Sequence, residues 1–386
     1  MYELLDAISE LIVSSPVALA RVVSTSGAGP RSVGASMVVT ADGRPLGSLS
    51  AGCVESVVID TALDVIRTGR AAREQFGYSD PEAIEVGLSC GGEVEVFIER
   101  LDASHRELVS HLIGVRDRGR RVAIVTTLDA DPSRAVVDDA VDSEHRGAPS
   151  FFDSNVRGLV EAGTTAVIGV GDGLDSGLMF VHSFAPPPRM VLAGANDFVR
   201  ALGASAILLG YAVTVVDARP VFATEERFPE VHEVVVDWPH RYLEAERAAG
   251  RLDGRTVVCV MTHDTKFDVP MLVAALHEND LAFVGALGSR RTHEDRLERL
   301  RATGLSEEII ERVQSPLGLD LDAQTPAETA VSILAQVIAD RSGASGQPLR
   351  KLAGPIHRQP LVSLHVENGR TASRLDTGRA QRELQP

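Results

Sequence analysis

The chain has 386 residues, with 38 basic and 54 acidic side chains and a formal net charge of -16. That length exceeds one small domain and can bury several cores without disulfide staples. The acidic balance excludes a general nucleic-acid surface, because like charge repels phosphate, so any anionic ligand needs a local site. The start, Met1 to Asp6, is acidic where a signal peptide would be basic. No apolar run approaches the ~20 residues that span a bilayer. Three cysteines make no disulfide framework. A cytoplasmic protein with reduced thiols is therefore expected.

Residues 2–13 show helical spacing of Leu4, Leu5, Ile8, Leu11 and Ile12. Val17–Val23 reads as a strand, and the glycine-rich Ser24–Gly34 as a loop. Ala35–Thr40 and Arg44–Leu49, joined by Asp42-Gly43, read as a hairpin. Val54–Thr68 returns to helical spacing, and Val94–Ile98 is a strand. Residues 1–100 thus predict a mixed α+β unit. A middle α/β segment, 101–185, holds a helix over Leu108–Arg116 and strands over Arg121–Leu128 and Ala166–Val170. It can be continuous with the first unit. Asp129–Ser154 is polar and weakly patterned, and reads as a mobile insertion.

Ala185-Pro186-Pro187-Pro188-Arg189 is a stiff linker. Beyond it the pattern alternates strand and helix. Strands are expected at Met190–Gly194, Ala212–Asp217, His232–Val236, Thr256–Met261 and Leu281–Gly285. That alternation predicts a Rossmann-like doubly wound parallel sheet of order 3-2-1-4-5 over residues 189–340. Thr325-Pro326-Ala327-Glu328 opens the last helix with a capping box and Pro at N1. Residues 341–386 lose periodicity and form a flexible basic tail.

The first βα turn of the expected sheet departs from Gly-x-Gly-x-x-Gly. Gly194 and Ala195 are followed by Asn196, Asp197 and Val199, with an acid where a pyrophosphate would meet the helix. Asp217 stands where a ribose-binding acid belongs, which keeps NAD(P) binding open. Thr262-His263-Asp264 and Gly285–Arg291 lie on the same crest. In the latter, Gly288 and Ser289 lead into Arg290 and Arg291, a helix start able to hold one phosphate or simply to be a cap with solvated arginines. His263, Asp264 and Asp268 match no standard metal site, and a polar loop is the simpler reading. Cys259, inside Val257–Met261, is a buried strand residue. Cys53 and Cys90 each sit beside glycine. Either can ligate a soft metal, carry sulfur or fill a small core space, and the helix after Cys53 can lower its thiol pKa.

Taken together, Ser26–Met37, Gly47–Glu55 ending in Gly-Cys-Val-Glu, Cys90-Gly91-Gly92, Gly194-Ala195, Val216–Arg219, Thr262–Asp264 with Asp268, Gly285–Arg291, Ser315–Asp320 and Thr325–Ser332 resemble the XdhC/CoxI family. Its members are accessory factors of xanthine dehydrogenase and related molybdenum hydroxylases. The resemblance covers most of residues 20–340. It implies a cysteine-bearing domain followed by a Rossmann-type one, and a factor that binds molybdenum cofactor, protects it, favours its sulfurated form and delivers it to the apo-enzyme. By that resemblance Arg31, Cys53, Glu55, Cys90 and Gly91 contact the cofactor, with Cys53 as the metal ligand. Gly194, Ala195, Asn196, Asp217, Arg219, His263, Asp264, Gly288, Ser289, Arg290 and Arg291 hold its phosphate or a nucleotide. The implied partners are a molybdenum hydroxylase apo-enzyme and a cysteine desulfurase, with a homodimer as the default assembly. The alternative reading is an NAD(P)-dependent oxidoreductase. Xanthine oxidation by the chain itself is disfavoured, since three scattered cysteines cannot hold iron–sulfur clusters.

Overall fold

A computed structural model describes residues 1–26, 31–50, 52, 54–77, 93–138, 152–170, 177–262, 264–277 and 281–353. The chain divides into two compact units, Met1–Pro186 and Pro187–Pro348. Among the described residues no helix is long and apolar enough to cross a membrane.

In chain order the first unit contains α1 (Leu5–Ser14), β1 (Val17–Ser26), β2 (Ser36–Val39), β3 (Pro45–Gly47), α2 (Glu55–Thr68), β4 (Ala72–Phe76) and β5 (Glu93–Leu101). It continues with α3 (Arg106–Asp117), β6 (Val122–Thr127), β7 (Arg134–Asp138), α4 (Phe152–Ala162), β8 (Ala166–Val170) and β9 (Gly177–Phe184). Two antiparallel sheets result, ordered β3-β2-β1-β5-β4 and β7-β6-β9-β8. The hairpin expected around Asp42-Gly43 is present, with Val38 opposite Leu46. Strands β4 and β9 are additions to the sequence reading. Strand β7 and helix α4 replace part of the expected mobile insertion. Residues 134–138 are held because β7 pairs with β6 from Arg134↔Thr126 to Asp138↔Val122.

Period-two patterning on β1 divides the core. Ala18, Ala20 and Val22 pack with Val58, Ala62 and Val65 of α2. Val17 and Leu19 turn the other way, into a cluster with α1, α3 and strand β6. Arg21 has the same parity as Leu19 and is fully buried. Its guanidinium pairs with Glu99, itself 1% exposed, and donates to Thr126 Oγ1 at 3.2 Å. Arg134 Nε reaches the second Glu99 oxygen at 2.8 Å. The Arg21 guanidinium also lies 5.0 Å from the Phe180 ring centroid. His182, 4% exposed, leaves Nδ1 without a hydrogen-bond partner among the described residues. Burial first, then the nearby Arg21 and amino-terminal charges, push its pKa well below the ordinary value, so the ring is neutral.

The second unit contains β10 (Arg189–Ala193), α5 (Asp197–Leu208), β11 (Ala212–Val216), β12 (Glu233–Val235), α6 (Pro239–Ala248) and β13 (Val257–Val260). After these come α7 (Thr265–Leu276), β14 (Phe283–Ala286), α8 (Arg290–Ala302), α9 (Glu307–Ile310), β15 (Val313–Gln314) and α10 (Pro326–Ser342). Its sheet runs β12-β11-β10-β13-β14-β15 and every pairing is parallel. This is the expected doubly wound order, with a sixth strand that the sequence reading omits. Val199, Leu202 and Ala206 of α5 join Ile333 and Val337 of α10 over one face. Leu243 of α6, Met271 and Leu272 of α7 and Leu300 of α8 cover the other. Cys259 is fully buried in β13, and burial pushes its thiol up to about 12, which leaves it an inert core residue. The capping box forms as expected: Thr325 Oγ1 accepts the Glu328 N–H at 3.2 Å, and Glu328 Oε2 accepts the Thr325 N–H at 2.8 Å.

In the first unit, Glu99→Ala strands the buried Arg21 charge and is expected to cost about 3–5 kcal/mol. Denaturant unfolding checks it; a loss under roughly 1 kcal/mol, the worth of an exposed pair, would contradict the buried network.

Candidate functional site

In the second unit the loops singled out by the sequence lie at the carboxyl ends of the parallel strands, with the switch point between β10 and β13. The backbone leaves β10 at Gly194 with φ +116°. A Cβ there would lie 2.9 Å from Thr262 Cγ2 and 3.3 Å from the Thr262 amide nitrogen, so glycine alone lets these two loops meet. Asn196 then caps α5. Its Oδ1 accepts the Val199 N–H at 3.1 Å, while Nδ2 donates to the Met261 carbonyl at 2.9 Å. Asn196 thereby joins the first and fourth crest loops where the dinucleotide fingerprint would place a glycine. Asp197 is exposed in the first helical turn and pairs with Arg200 at 3.2 Å. Its carboxylate occupies the positive end of the helix dipole that a pyrophosphate would use.

Asp217, expected as a ribose acid, is 2% exposed and engaged by Arg219. Arg219 Nε donates to Oδ1 at 2.9 Å and Nη2 to Oδ2 at 2.7 Å, a bidentate pair. This hydrogen bonding holds the Arg219 pKa above its ordinary value. Asp264 caps α7: its carboxylate accepts the Lys266 N–H at 3.1 Å and pairs with Lys266 Nζ at 3.0 Å.

Asp268, weighed in the sequence as a metal ligand, is instead the centre of a buried latch. It accepts the Thr262 hydroxyl on one oxygen and Arg296 Nη2 at 3.0 Å on the other. The same Nη2 donates to the Leu287 carbonyl at 3.0 Å, and Nη1 to Ser315 Oγ at 3.0 Å. Asp268 and Arg296 are each 3% exposed. The ion pair therefore joins the loops after β13, β14 and β15, the first through Asp268 of α7 and the other two through the Arg296 guanidinium. Sequence reasoning missed Arg296 because it sits within the charged run of α8, where nothing in the spacing separates it from its solvated neighbours.

At the start of α8, Ser289 Oγ accepts the Thr292 N–H at 3.2 Å. Arg290 and Arg291 are exposed and form no ion pair among the described residues. The cap is thus formed and two guanidinium groups stay available beside it. Gly288 enters this turn directly after Leu287, which the latch holds.

In the first unit, Glu55 is the organising residue. Its carboxylate accepts backbone N–H groups from Leu49 at 3.1 Å, Ser50 at 2.8 Å, Gly52 at 2.9 Å and Val54 at 3.2 Å. The hydroxyls of Ser48 and Ser50 add bonds at 2.9 and 2.5 Å. Burial alone would raise the pKa of Glu55, but the Ser50, Ser48 and Leu49 donors outweigh it and bring the pKa down to about 2. The residues on both sides of position 53 thus donate to one carboxylate. Arg31 is exposed. Cys53, Cys90, Gly91 and His263 lie outside the described residues. Among the described residues no three His, Cys, Asp or Glu side chains gather as a metal site.

Fold and crest define a two-unit protein, an antiparallel α+β unit with a carboxylate-gathered glycine loop and a Rossmann unit whose usual pyrophosphate turn is tied up internally. The family description "XdhC Rossmann domain" matches residues 190–337, and "XdhC and CoxI family" matches residues 14–77. The chain belongs to the XdhC/CoxI family. It is 27% identical over 345 residues to a probable xanthine dehydrogenase subunit of Bacillus subtilis, covering 88% of this chain and 97% of that protein. It is 26% identical over 336 residues to the molybdenum cofactor insertion chaperone PaoD of Escherichia coli, covering 87% of this chain and 86% of that protein. A crystal structure described as a xanthine dehydrogenase from Bacillus halodurans superposes with a TM-score of 0.65 at 26% identity, over 91% of this chain and 98% of that one.

Glu55→Gln is expected to loosen residues 48–54 and to cost about 2 kcal/mol, since a neutral amide cannot replace a carboxylate accepting so many donors. The native pKa is depressed, so this stabilisation is complete above the ordinary value of 4.5 and fades as pH falls toward about 2. Thermal unfolding of both proteins between neutral and strongly acidic pH checks this. A wild-type advantage that persists unchanged below the native pKa would contradict it.

Proposed function

We propose that this protein binds molybdenum cofactor as cargo, shields it and hands it to a xanthine dehydrogenase-type hydroxylase, without oxidising xanthine itself. The observation that carries the reading is the Glu55 carboxylate, which gathers the loop on both sides of position 53. Neighbours fixed in this way on either side suit a thiol that meets a soft metal centre, and glycine at position 52 leaves room for a bulky ligand. The likeness to PaoD, a chaperone named for cofactor insertion, supports the same reading.

In this proposal Cys53 is the metal-contacting thiol, and Arg31, Cys90 and Gly91 flank the cargo. Glu55 acts as a positioning residue rather than a ligand, because both its oxygens are already engaged. Within the second unit, taken by itself, a phosphate suits the Gly288–Arg291 turn, where a capped helix start and two available guanidinium groups form a dicationic donor set. It does not suit the Asn196–Asp197 turn, where a carboxylate already holds the dipole. Sulfuration of the cargo, with sulfur supplied through a cysteine desulfurase, and a homodimeric assembly in the cytoplasm complete the proposal.

Several observations weigh against an NAD(P)-dependent oxidoreductase. Asn196 engages its amide inside the protein, Asp197 opposes the pyrophosphate, and Asp217 is closed by Arg219. The "xanthine dehydrogenase" names of the relatives do not make this chain the catalyst. Of its three cysteines Cys259 is buried in a strand, and two thiols cannot build an iron–sulfur cluster.

Anaerobic purification from cells that make the cofactor, followed by oxidation to a fluorescent pterin and molybdenum analysis, tests the proposal. Wild type is expected to retain both pterin and molybdenum, and Cys53→Ala to lose most of the molybdenum. Absence of both from wild type would overturn it.

A further inference from the structure

A second feature of the crest lies apart from the latch and the arginine turn. Beyond the ends of β10 to β13, rings and cations alternate. The Arg219 guanidinium lies 4.6 Å from the centroid of Phe222, and Arg227 reaches the same ring at 5.5 Å. Arg227 also donates to the Phe222 carbonyl at 3.0 Å and to the Ala195 carbonyl at 3.5 Å, which ties it to the first crest loop. On its other side Arg219 stands 6.0 Å from Phe267. Phe267 in turn meets the Trp238 ring at 5.1 Å.

Phe267 is buried, but Phe222 is 41% exposed and Trp238 is 38% exposed. Exposed aromatic faces beside guanidinium groups are suited to flat ligands, because rings stack on rings and on guanidinium planes alike. Asp217 takes Nε and Nη2 of Arg219, which leaves Nη1 with no hydrogen-bond partner among the described residues. Arg227 forms no ion pair among the described residues. The ledge therefore offers guanidinium N–H groups and ring faces, with the Asp217 carboxylate taken by Arg219 and the nearby Asp264 carboxylate paired with Lys266. In a protein of net charge -16 such a cationic, aromatic ledge is a local exception. Its chemistry selects a planar anion.

We propose that Trp238, Phe222, Arg219 and Arg227 form a ledge that binds a phosphorylated fused-ring heterocycle, pterin or purine. The ring lies against Trp238 and the phosphate meets the two guanidinium groups. The pterin source rests on the cargo reading above, whereas a purine nucleotide would fill the ledge without it.

Trp238 is the only tryptophan in the chain, so its fluorescence reports the ledge directly. The full-length protein is titrated with GMP, with AMP and with a 6-hydroxymethylpterin phosphate, the pterin arm being read by calorimetry because pterins absorb in the same range. Saturable binding at submillimolar concentration is expected in at least one arm, and the responding arm names the source. Arg227→Ala is expected to weaken it at least tenfold. Trp238→Leu, read by calorimetry, should do the same with an unchanged melting temperature. Arg219→Ala is the less clean variant because it also uncovers buried Asp217. No saturable binding in any arm at millimolar ligand would overturn the proposal, as would binding that Arg227→Ala and Trp238→Leu both leave intact. Binding by these titrations, alongside a purified protein that retains no pterin, would keep the ledge and sink the cargo reading alone.

Discussion

The buried pair between Asp268 and Arg296 is the constraint on which the Rossmann crest depends. Burying two full charges is expensive, and their attraction offsets that only when the remaining donors and acceptors are satisfied. Here Thr262, Leu287 and Ser315 all supply such partners. The consequence is geometric more than energetic. Three loops that leave three different strands are referred to a single buried ion pair, while Gly194 and Asn196 bind the first crest loop to the loop that carries Thr262. The turn that ends in Arg290 and Arg291 is thus mounted on a fixed base.

Charge is distributed over this crest unevenly, and the unevenness carries the functional reading. One helix start presents Asp197, and another is capped by Asp264. The start of α8 presents two exposed arginines behind a serine cap. In an acidic protein, a cationic turn of this kind is a local place suited to a phosphate, not part of a general anion-binding surface. The first unit solves a different problem with similarly few parts. A single carboxylate, Glu55, takes up donors from Ser48, Leu49, Ser50, Gly52 and Val54 and so shapes the glycine-bearing loop ahead of α2.

Much of the fold was legible because it is written locally. The strand–helix alternation after Pro188 implies a doubly wound sheet, Asp42-Gly43 implies a hairpin, and Thr325 to Glu328 implies a capped helix. Strand β15 was not legible, since two residues have no periodicity. Strand β7 lies in a polar stretch, and its pairing with β6 is a long-range fact. The site was legible as motifs but not as roles. Asp217, Asp264 and Asp268 look alike in sequence, as acids near strand ends or helix starts. Only their partners separate an Arg219-bound acid, a helix cap and the centre of a latch. Arg21 and Arg296 were the hardest to foresee, because a buried arginine is justified by residues far away in the chain, Glu99 and Asp268 respectively.

If one buried ion pair fixes the crest loops, Asp268 and Arg296 are energetically coupled, and a double-mutant cycle measures that coupling. Asp268→Ala, Arg296→Ala and the double variant are compared by denaturant unfolding, with amide exchange followed at residues 287–289 and 315. A coupling energy of about 2 kcal/mol or more is expected, with faster exchange at those amides in each single variant. Additivity within about 0.5 kcal/mol, with exchange unchanged, would contradict it.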